Sequence, residues 1–130
     1  MGHDAIPSAE LPELVKVSSE NISIEDVRII SGKPFDDVRV ALEKPPRFDD
    51  RIRALLHYGD ITRVKAELNR IQGDAGLVIF SVAAHGDWLQ IRSGKRNAAQ
   101  YVIGNVLISS EMTRHELAAG LYAPLRVILY

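Results

Sequence analysis

The sequence predicts an α+β protein, a compact two-layer sandwich with helices packed on a sheet of about four strands. Apolar residues recur with a helical period in some segments, and in others they alternate or form short apolar runs typical of strands. The predicted strands are separated by helices, which is the order of an α+β fold. The 130 residues, 46% of them apolar, suffice for one domain with a single core.

The first predicted strand covers residues 24 to 31, where Val27 and Ile29 alternate with charged neighbours. Residues 1 to 22 have two prolines and no sustained period, and they predict a flexible or partner-docking arm. We therefore expect a single α+β domain from residue 23 to residue 130.

Three helices are predicted next. Pro34 suits the start of the first helix, and Pro45 ends it. Asp49 or Asp50 can cap the second helix, and Asp60 can cap the third. The three apolar stripes consist of Phe35, Val38 and Leu42; of Ile52, Leu55 and Leu56; and of Ile61, Val64, Leu68 and Ile71.

The second half of the chain alternates strands and helices. Residues 77 to 82 are apolar on both faces, which predicts a central strand. A short helix is expected at 88 to 92 and a strand at 99 to 104. The pattern then predicts a helix from 105 to about 119 and a closing strand from 125 to 130, with strand order left open.

Charge and composition exclude several classes of function. A net charge of −1 gives no electrostatic reason to expect a nucleic-acid or anionic-membrane partner. The chain has no cysteine, which excludes disulfides, thiolate metal sites and thiol nucleophiles. Its apolar runs are far too short for a membrane span, and its start has no signal-peptide pattern. We therefore expect a cytoplasmic protein.

Two strand ends are the main candidates for a site. His85 follows a predicted strand, where it could act as an acid or base, with Asp87 orienting it or starting the next helix. Gly104 and Asn105 open another helix, whose free N–H groups could hold an anion. A purely structural reading is open for both, because Asn is a common helix cap and Gly permits the turn.

Other side chains admit weaker hypotheses. Arg92, Lys95, Arg96 and Arg126 could line an anion site or form a solvated cluster. Trp88, Tyr101 and Tyr122 could stack on a flat ligand or belong to the core.

Glu111 and His115 are four residues apart on one predicted helical face. This spacing is typical of a surface ion pair, so no metal ligand is assigned. A metal site with His85 as a third ligand is a minor alternative.

The chain resembles the family of bacterial and archaeal proteins called domain of unknown function 302. The likeness covers about residues 24 to 130 and runs through Ser31-Gly32-Lys33-Pro34-Phe35, Gly76-Leu77, Phe80, His85-Gly86, Tyr101-Val102-Ile103-Gly104-Asn105, Met112-Thr113-Arg114-His115 and Leu121-Tyr122-Ala123-Pro124-Leu125-Arg126-Val127. The family usually has proline after Gly-Asn, where this chain has Val106. The resemblance implies a two-layer α+β domain forming small oligomers, with residues 49 to 71 like the helices inserted in a longer subgroup. It implies no catalytic residue.

These observations favour a non-enzymatic, dimeric module that binds a small molecule or a protein. The ligand-binding candidates are His85, Gly104, Asn105, Met112, Tyr122 and Arg126. The alternative is a small enzyme with His85 as base and an oxyanion site at Asn105, which requires both side chains to face one cavity. The sequence assigns no cofactor.

Overall fold

The chain divides into two units, Met1–Ser31 and Gly32–Tyr130. The structure is a computed structural model that describes residues 14–57 and 59–130. Residues 1 to 13 of the predicted N-terminal arm therefore lie outside the described residues. Among its described residues, the second unit has five α-helices and a three-stranded antiparallel sheet. The predicted α+β class is confirmed.

Three helices begin at the predicted caps Asp49, Asp60 and Asn105. The short helix expected at 88 to 92 instead begins at His85 and is continued by a 3-10 helix, Leu89–Ile91. The helices are α1 (Phe35–Leu42), α2 (Asp50–Leu56), α3 (Ile61–Gln72), the single-turn α4 (His85–Trp88) and α5 (Val106–Thr113). The Asp49 carboxylate accepts hydrogen bonds from the backbone of Arg51 and Ile52 at 3.1 and 3.2 Å, so Asp49 rather than Asp50 caps α2. Asp60 caps α3 in the same way. Within the described residues, no helix is long and apolar enough to cross a membrane.

Helix α5 is shorter than the sequence predicts. It ends at Thr113, and a separate 3-10 helix covers Leu117–Leu121. The Thr113 hydroxyl donates to the Ser109 carbonyl oxygen at 3.1 Å, a local bond that competes with the regular helix. Glu116 is extended, and its carboxylate accepts from the Ala118 N–H at 3.2 Å. A new cap therefore interrupts the predicted helix before Ala119.

The strands are β1 (Val78–Ala83), β2 (Ala99–Gly104) and β3 (Leu125–Leu129), in the order β1-β2-β3. The central strand is therefore β2, and the prediction that residues 77 to 82 form the central strand is wrong. The outer edge of β1 is nevertheless covered by the segment before α2. The Ile79 N–H donates to the Pro46 carbonyl oxygen at 2.8 Å, and the Phe48 N–H donates to the Ile79 carbonyl oxygen at 2.9 Å.

The predicted first strand, residues 24 to 31, is not a strand in the structure. These residues carry no regular secondary structure and are exposed, with Ile29 at 90% and Ile30 at 96%. The described residues therefore form three strands rather than about four. An alternating pattern indicates which side chains would share a face, but a strand also needs a neighbour to pair with, and the local pattern does not supply one.

Two apolar clusters lie against the sheet. Val78 packs with residues of α2 and α3, whereas Ile79 packs with Tyr101 and with residues of α1. These neighbours belong to different clusters because successive side chains of a strand point to opposite faces. Helices therefore contribute to the core on both faces of β1.

Tyr101 connects the central strand to its neighbours. It pairs with Val82 of β1 and with Val127 of β3, and its side chain is 1% exposed. Its hydroxyl donates to Glu43 at the end of α1, with an oxygen–oxygen distance of 3.1 Å. Burial, together with the hydrogen bond to the Glu43 carboxylate, raises the pKa of Tyr101 to about 12.

This shift predicts a loss of stability at high pH. The folded pKa of about 12 lies above the ordinary value of 10.0, so the contribution of Tyr101 is complete below pH 10 and disappears as pH rises to 12. The free energy of unfolding should fall by about 2–3 kcal/mol over that window. Denaturant titrations at several pH values measure this fall. Tyr101→Phe should remove it and Tyr122→Phe should not; equal slopes in both variants would contradict the assignment.

Candidate functional site

His85 lies just beyond β1, in the first turn of α4. Because β1 and β2 are antiparallel, with Ala83 opposite Gln100, α4 lies beside the start of β2. Two backbone hydrogen bonds join them: Gly86 N–H donates to the Ala98 oxygen at 2.9 Å, and Arg96 N–H donates to the Gly86 oxygen at 3.2 Å. Residues 96–98 are thereby held against the turn that carries His85.

The close approach of these two backbones requires glycine at position 86. Gly86 is buried, and a Cβ atom there would lie 1.8 Å from the Arg96 carbonyl oxygen and 2.8 Å from the Ala98 nitrogen. No side chain fits at such distances. The His85-Gly86 pair seen in the sequence thus joins a polar side chain to the residue that positions the neighbouring loop.

A cavity of about 340 Å³ opens between α4, the start of β2 and the end of β3. It is lined by His85, Leu89, Arg96, Asn97, Ala98, Ile128 and Tyr130. This volume is at the lower end of the range for small-molecule sites, which are typically apolar with a few polar groups. The lining has that composition. We call it the His85 cavity.

The charges around the His85 cavity favour an anion. Arg96 is permanently cationic and makes no ion pair with a described residue. No lining residue is acidic. The nearest acidic neighbour in sequence, Asp87, is 3.2 Å from the Lys95 ammonium and is paired with it. A negatively charged group in the cavity would therefore meet a cationic side chain and no acidic side chain of the lining residues.

His85 itself is half-buried and contacts Trp88, with ring centroids 4.9 Å apart and an interplanar angle of 49°. Its Nδ1 atom is buried and has no hydrogen-bond partner among the described residues. Asp87 is engaged by Lys95 and does not orient the imidazole, so the histidine–carboxylate pair considered from the sequence is not assembled. In this geometry the His85 side chain lines the cavity and has no carboxylate partner among the described residues with which to form a proton relay.

The corner at Gly104 and Asn105 is a helix cap whose N–H groups at the helix start are hydrogen-bonded. The Asn105 side-chain oxygen accepts from Leu107 N–H at 2.9 Å and from Ile108 N–H at 3.0 Å. Its amide nitrogen donates to the Gly76 oxygen at 2.8 Å. These bonds leave no free N–H at positions 107 and 108 for an oxyanion.

The third donor of this corner is the Val106 N–H, which donates to the side-chain oxygen of Gln72 at 2.9 Å. Gln72 is 2% exposed, so this bond ties the end of α3 to the start of α5. A proline at position 106 would have no N–H to make this bond.

His85 and Asn105 lie at opposite ends of the sheet. Gly104 is opposite Val78 at the start of β1, whereas His85 follows its other end. The intervening length of strand is roughly 16 Å, at about 3.3 Å per residue. The arrangement that the acid–base alternative requires, with both side chains facing one cavity, is not present.

The remaining candidates do not join the His85 cavity. Met112, Tyr122 and Arg126 are all exposed and line other parts of the surface. The other residues that line the cavity were not predicted as ligand-binding residues, and they come from two distant segments, 89–98 and 128–130. The sequence indicated Arg96 only as one of several basic residues that could line an anion site. Nothing local indicated that Ile128 and Tyr130 would lie beside that loop.

Glu111 and His115 form the expected surface pair, with the imidazole Nε2 and the carboxylate oxygen 3.4 Å apart. Both side chains are more than 60% exposed, at 69% for His115 and 63% for Glu111. In the described part of the chain, no three His, Asp or Glu side chains are grouped so that they could hold a metal ion. His85 contributes to the cavity instead.

Comparison of the chain with protein-family models, with curated proteins and with solved structures gave no match. The resemblance to domain of unknown function 302 stays a prediction.

The contact at Gly86 predicts a strong effect of one added methyl group. Gly86→Ala should lower the free energy of unfolding by about 1–3 kcal/mol or more, because the methyl group must displace the backbone of residues 96–98. Gly120→Ala is the matched control, since its Cβ would lie 3.9 Å from the Thr113 methyl carbon, an ordinary contact. Urea denaturation measures both variants. Equal stability of the two would contradict the close approach.

Proposed function

We propose that this protein is a non-catalytic binding module that holds a small amphipathic anion in the His85 cavity. The observation that carries the proposal is the combination of an apolar lining, one unpaired arginine and no acidic side chain. Leu89, Ala98 and Ile128 offer apolar surface to the body of a ligand. Arg96 offers a planar, bidentate donor to a carboxylate, sulfonate or phosphate group.

The volume supports a ligand of modest size. A cavity of about 340 Å³ accommodates roughly ten to fifteen non-hydrogen atoms, since one water takes about 30 Å³ in the liquid. Tyr130 and His85 provide flat rings against which an unsaturated ligand can stack. The ligand class that fits best is an aromatic or branched carboxylic acid.

The same geometry supports binding rather than turnover. No lining residue is Ser, Thr, Asp, Glu or Lys, and the chain has no cysteine. His85 has neither a carboxylate partner nor the Asn105 corner nearby, so general acid–base catalysis lacks both its orienting group and its oxyanion site. The absence of cysteine supports a cytoplasmic location as part of this proposal.

Arg96 provides the test of this proposal. Phenylacetate, benzoate and indole-3-acetate are titrated into the wild-type protein, and binding is followed by calorimetry and by the amide resonances of residues 85–98. We expect Arg96→Gln to weaken binding of the best probe about ten-fold, which corresponds to about 1.4 kcal/mol, without loss of stability, because its side chain is exposed and makes no ion pair with a described residue.

The matched control is Arg92→Gln, which removes the same charge from an exposed arginine that does not line the cavity. It should leave affinity within about two-fold, since Arg92 does not line the cavity and only a screened electrostatic effect through solvent is lost. If both variants weaken binding equally, or if no probe perturbs the cavity resonances, the proposed site is wrong.

A further inference from the structure

The outer edge of β3 is open. In the described residues β3 pairs with β2 and with no other strand, so one side of Leu125–Leu129 presents unpaired backbone N–H and C=O groups. Proteins usually protect such an edge with charges, prolines, bulges or a covering segment. Among the described residues of the unit Gly32–Tyr130, no segment pairs with this edge as the one before α2 pairs with β1. β3 carries one charge, Arg126, among four apolar residues.

The side chains of this edge are also exposed. Leu125 is 63% and Ile128 50% exposed. Leu117, Leu121 and Tyr122, in the segment directly before β3, are 84%, 64% and 45% exposed. An exposed apolar strand continued by further apolar surface is typical of a surface that another chain covers.

We propose that β3 pairs antiparallel with β3 of a second copy about a two-fold axis at Val127, and that the partner's Arg126 thereby completes the His85 cavity. The pairing rests on the edge alone. The role of the partner's Arg126 rests on the proposed function. A self-complementary strand is the natural occupant, because a two-fold axis brings the same patch of two copies together, and a net charge of −1 gives little repulsion between copies.

The sequence of β3 selects the register. Directly opposed residues of an antiparallel pair point to the same face, so the axis must pass through a residue, and 126, 127 and 128 are the central choices. An axis at Arg126 would oppose two arginines, which is destabilising. An axis at Ile128 would leave Leu125 without a partner in β3. An axis at Val127 pairs all five residues of β3.

In this register each leucine at one end of β3 lies opposite a leucine of the other copy, Leu125 against the partner's Leu129. Arg126 of one copy lies opposite Ile128 of the other. Ile128 lines the His85 cavity, and directly opposed Cβ atoms are about 4.5–5.5 Å apart. The partner's arginine therefore lies on the face of the sheet onto which the cavity opens.

This placement gives Arg126 a ligand-binding role that it lacks within its own chain. In its own chain it is exposed, forms no ion pair with a described residue and does not line the cavity. In the pair it lies next to Ile128 and diagonally across from Tyr130, on the side of the cavity formed by β3. The anionic group of a ligand would then be held between Arg96 of one copy and the partner's Arg126.

The register is tested by single cysteines, for which this cysteine-free chain is well suited. Val127→Cys places two thiols opposite each other at the axis, with Cα atoms about 4.5–5.5 Å apart, within the range of about 4.4–6.8 Å that a disulfide needs. Leu125→Cys and Leu129→Cys are matched controls, because each thiol and its symmetry mate would be about 13 Å apart along the strand. Under mild oxidation, Val127→Cys should give a disulfide-linked dimer, and the controls should not.

A second pair of cysteine variants leaves Val127 unchanged, because a substitution at this half-buried position can impair folding. Arg126→Cys mixed with Ile128→Cys should form the mixed disulfide faster than either variant links to itself, and both positions are exposed. Equal rates at all positions, or fastest linkage of Arg126→Cys or Ile128→Cys to itself, would overturn the register. A wild-type chain that sediments as a monomer at all concentrations would overturn the pairing.

The shared cavity is tested by mixing Arg96→Gln with Arg126→Gln, using the best carboxylate probe found for the wild-type protein. Each variant alone should bind about ten-fold more weakly. In a mixed dimer one cavity has both arginines and the other has neither, so an equal mixture should recover wild-type affinity at about a quarter of its sites. If Val127→Cys cross-links but the mixture does not recover wild-type affinity, the shared cavity is wrong and the pairing of β3 with β3 stands. Cross-linking with no binding by wild-type protein refutes the proposed function instead.

Discussion

The fold depends on the burial of Tyr101 in the central strand. Its backbone lies between β1 and β3, its ring is almost fully buried, and its hydroxyl reaches Glu43 at the end of α1. Glu43 also binds Arg39 and Arg47, at 3.2 and 3.5 Å. A buried phenol is stable only if its hydroxyl finds a partner, and that partner here is the carboxylate at the point where α1 turns towards the segment covering β1.

Close backbone approaches shape both ends of the sheet. At one end, Gly104 leaves room for Pro124, whose Cβ would lie 2.7 Å from an added methyl carbon. Beside it, the N–H groups of Val106, Leu107 and Ile108 are all hydrogen-bonded. At the other end, Gly86 brings the loop of Arg96 against α4, and His85 lines an open cavity. The two polar strand ends that look alike in the sequence thus differ in their surroundings.

Local chemistry made much of this architecture predictable. Asp49, Asp60 and Asn105 cap helices as short polar residues do at such positions, and β2 occupies the predicted residues 99 to 104. The prediction was wrong where a local pattern had no tertiary support. Residues 24 to 31 alternate like a strand but have no regular secondary structure, and α5 ends early because the Glu116 cap begins a new element.

The caps at Asp49, Asp60 and Asn105 and the α+β class could be predicted from the amino-acid sequence, because each depends on residues within a few positions of one another. The apolar stripes were predicted less well, since Leu56 and Ile61 are 51% and 62% exposed. The sequence also indicated that His85 and Asn105 follow strands. That His85 borders a cavity could not be predicted in this way, since the cavity depends on the antiparallel pairing that brings residues 128–130 beside the loop before β2. Pairings between distant segments depend on the shapes of both partners, and no period within either segment encodes them.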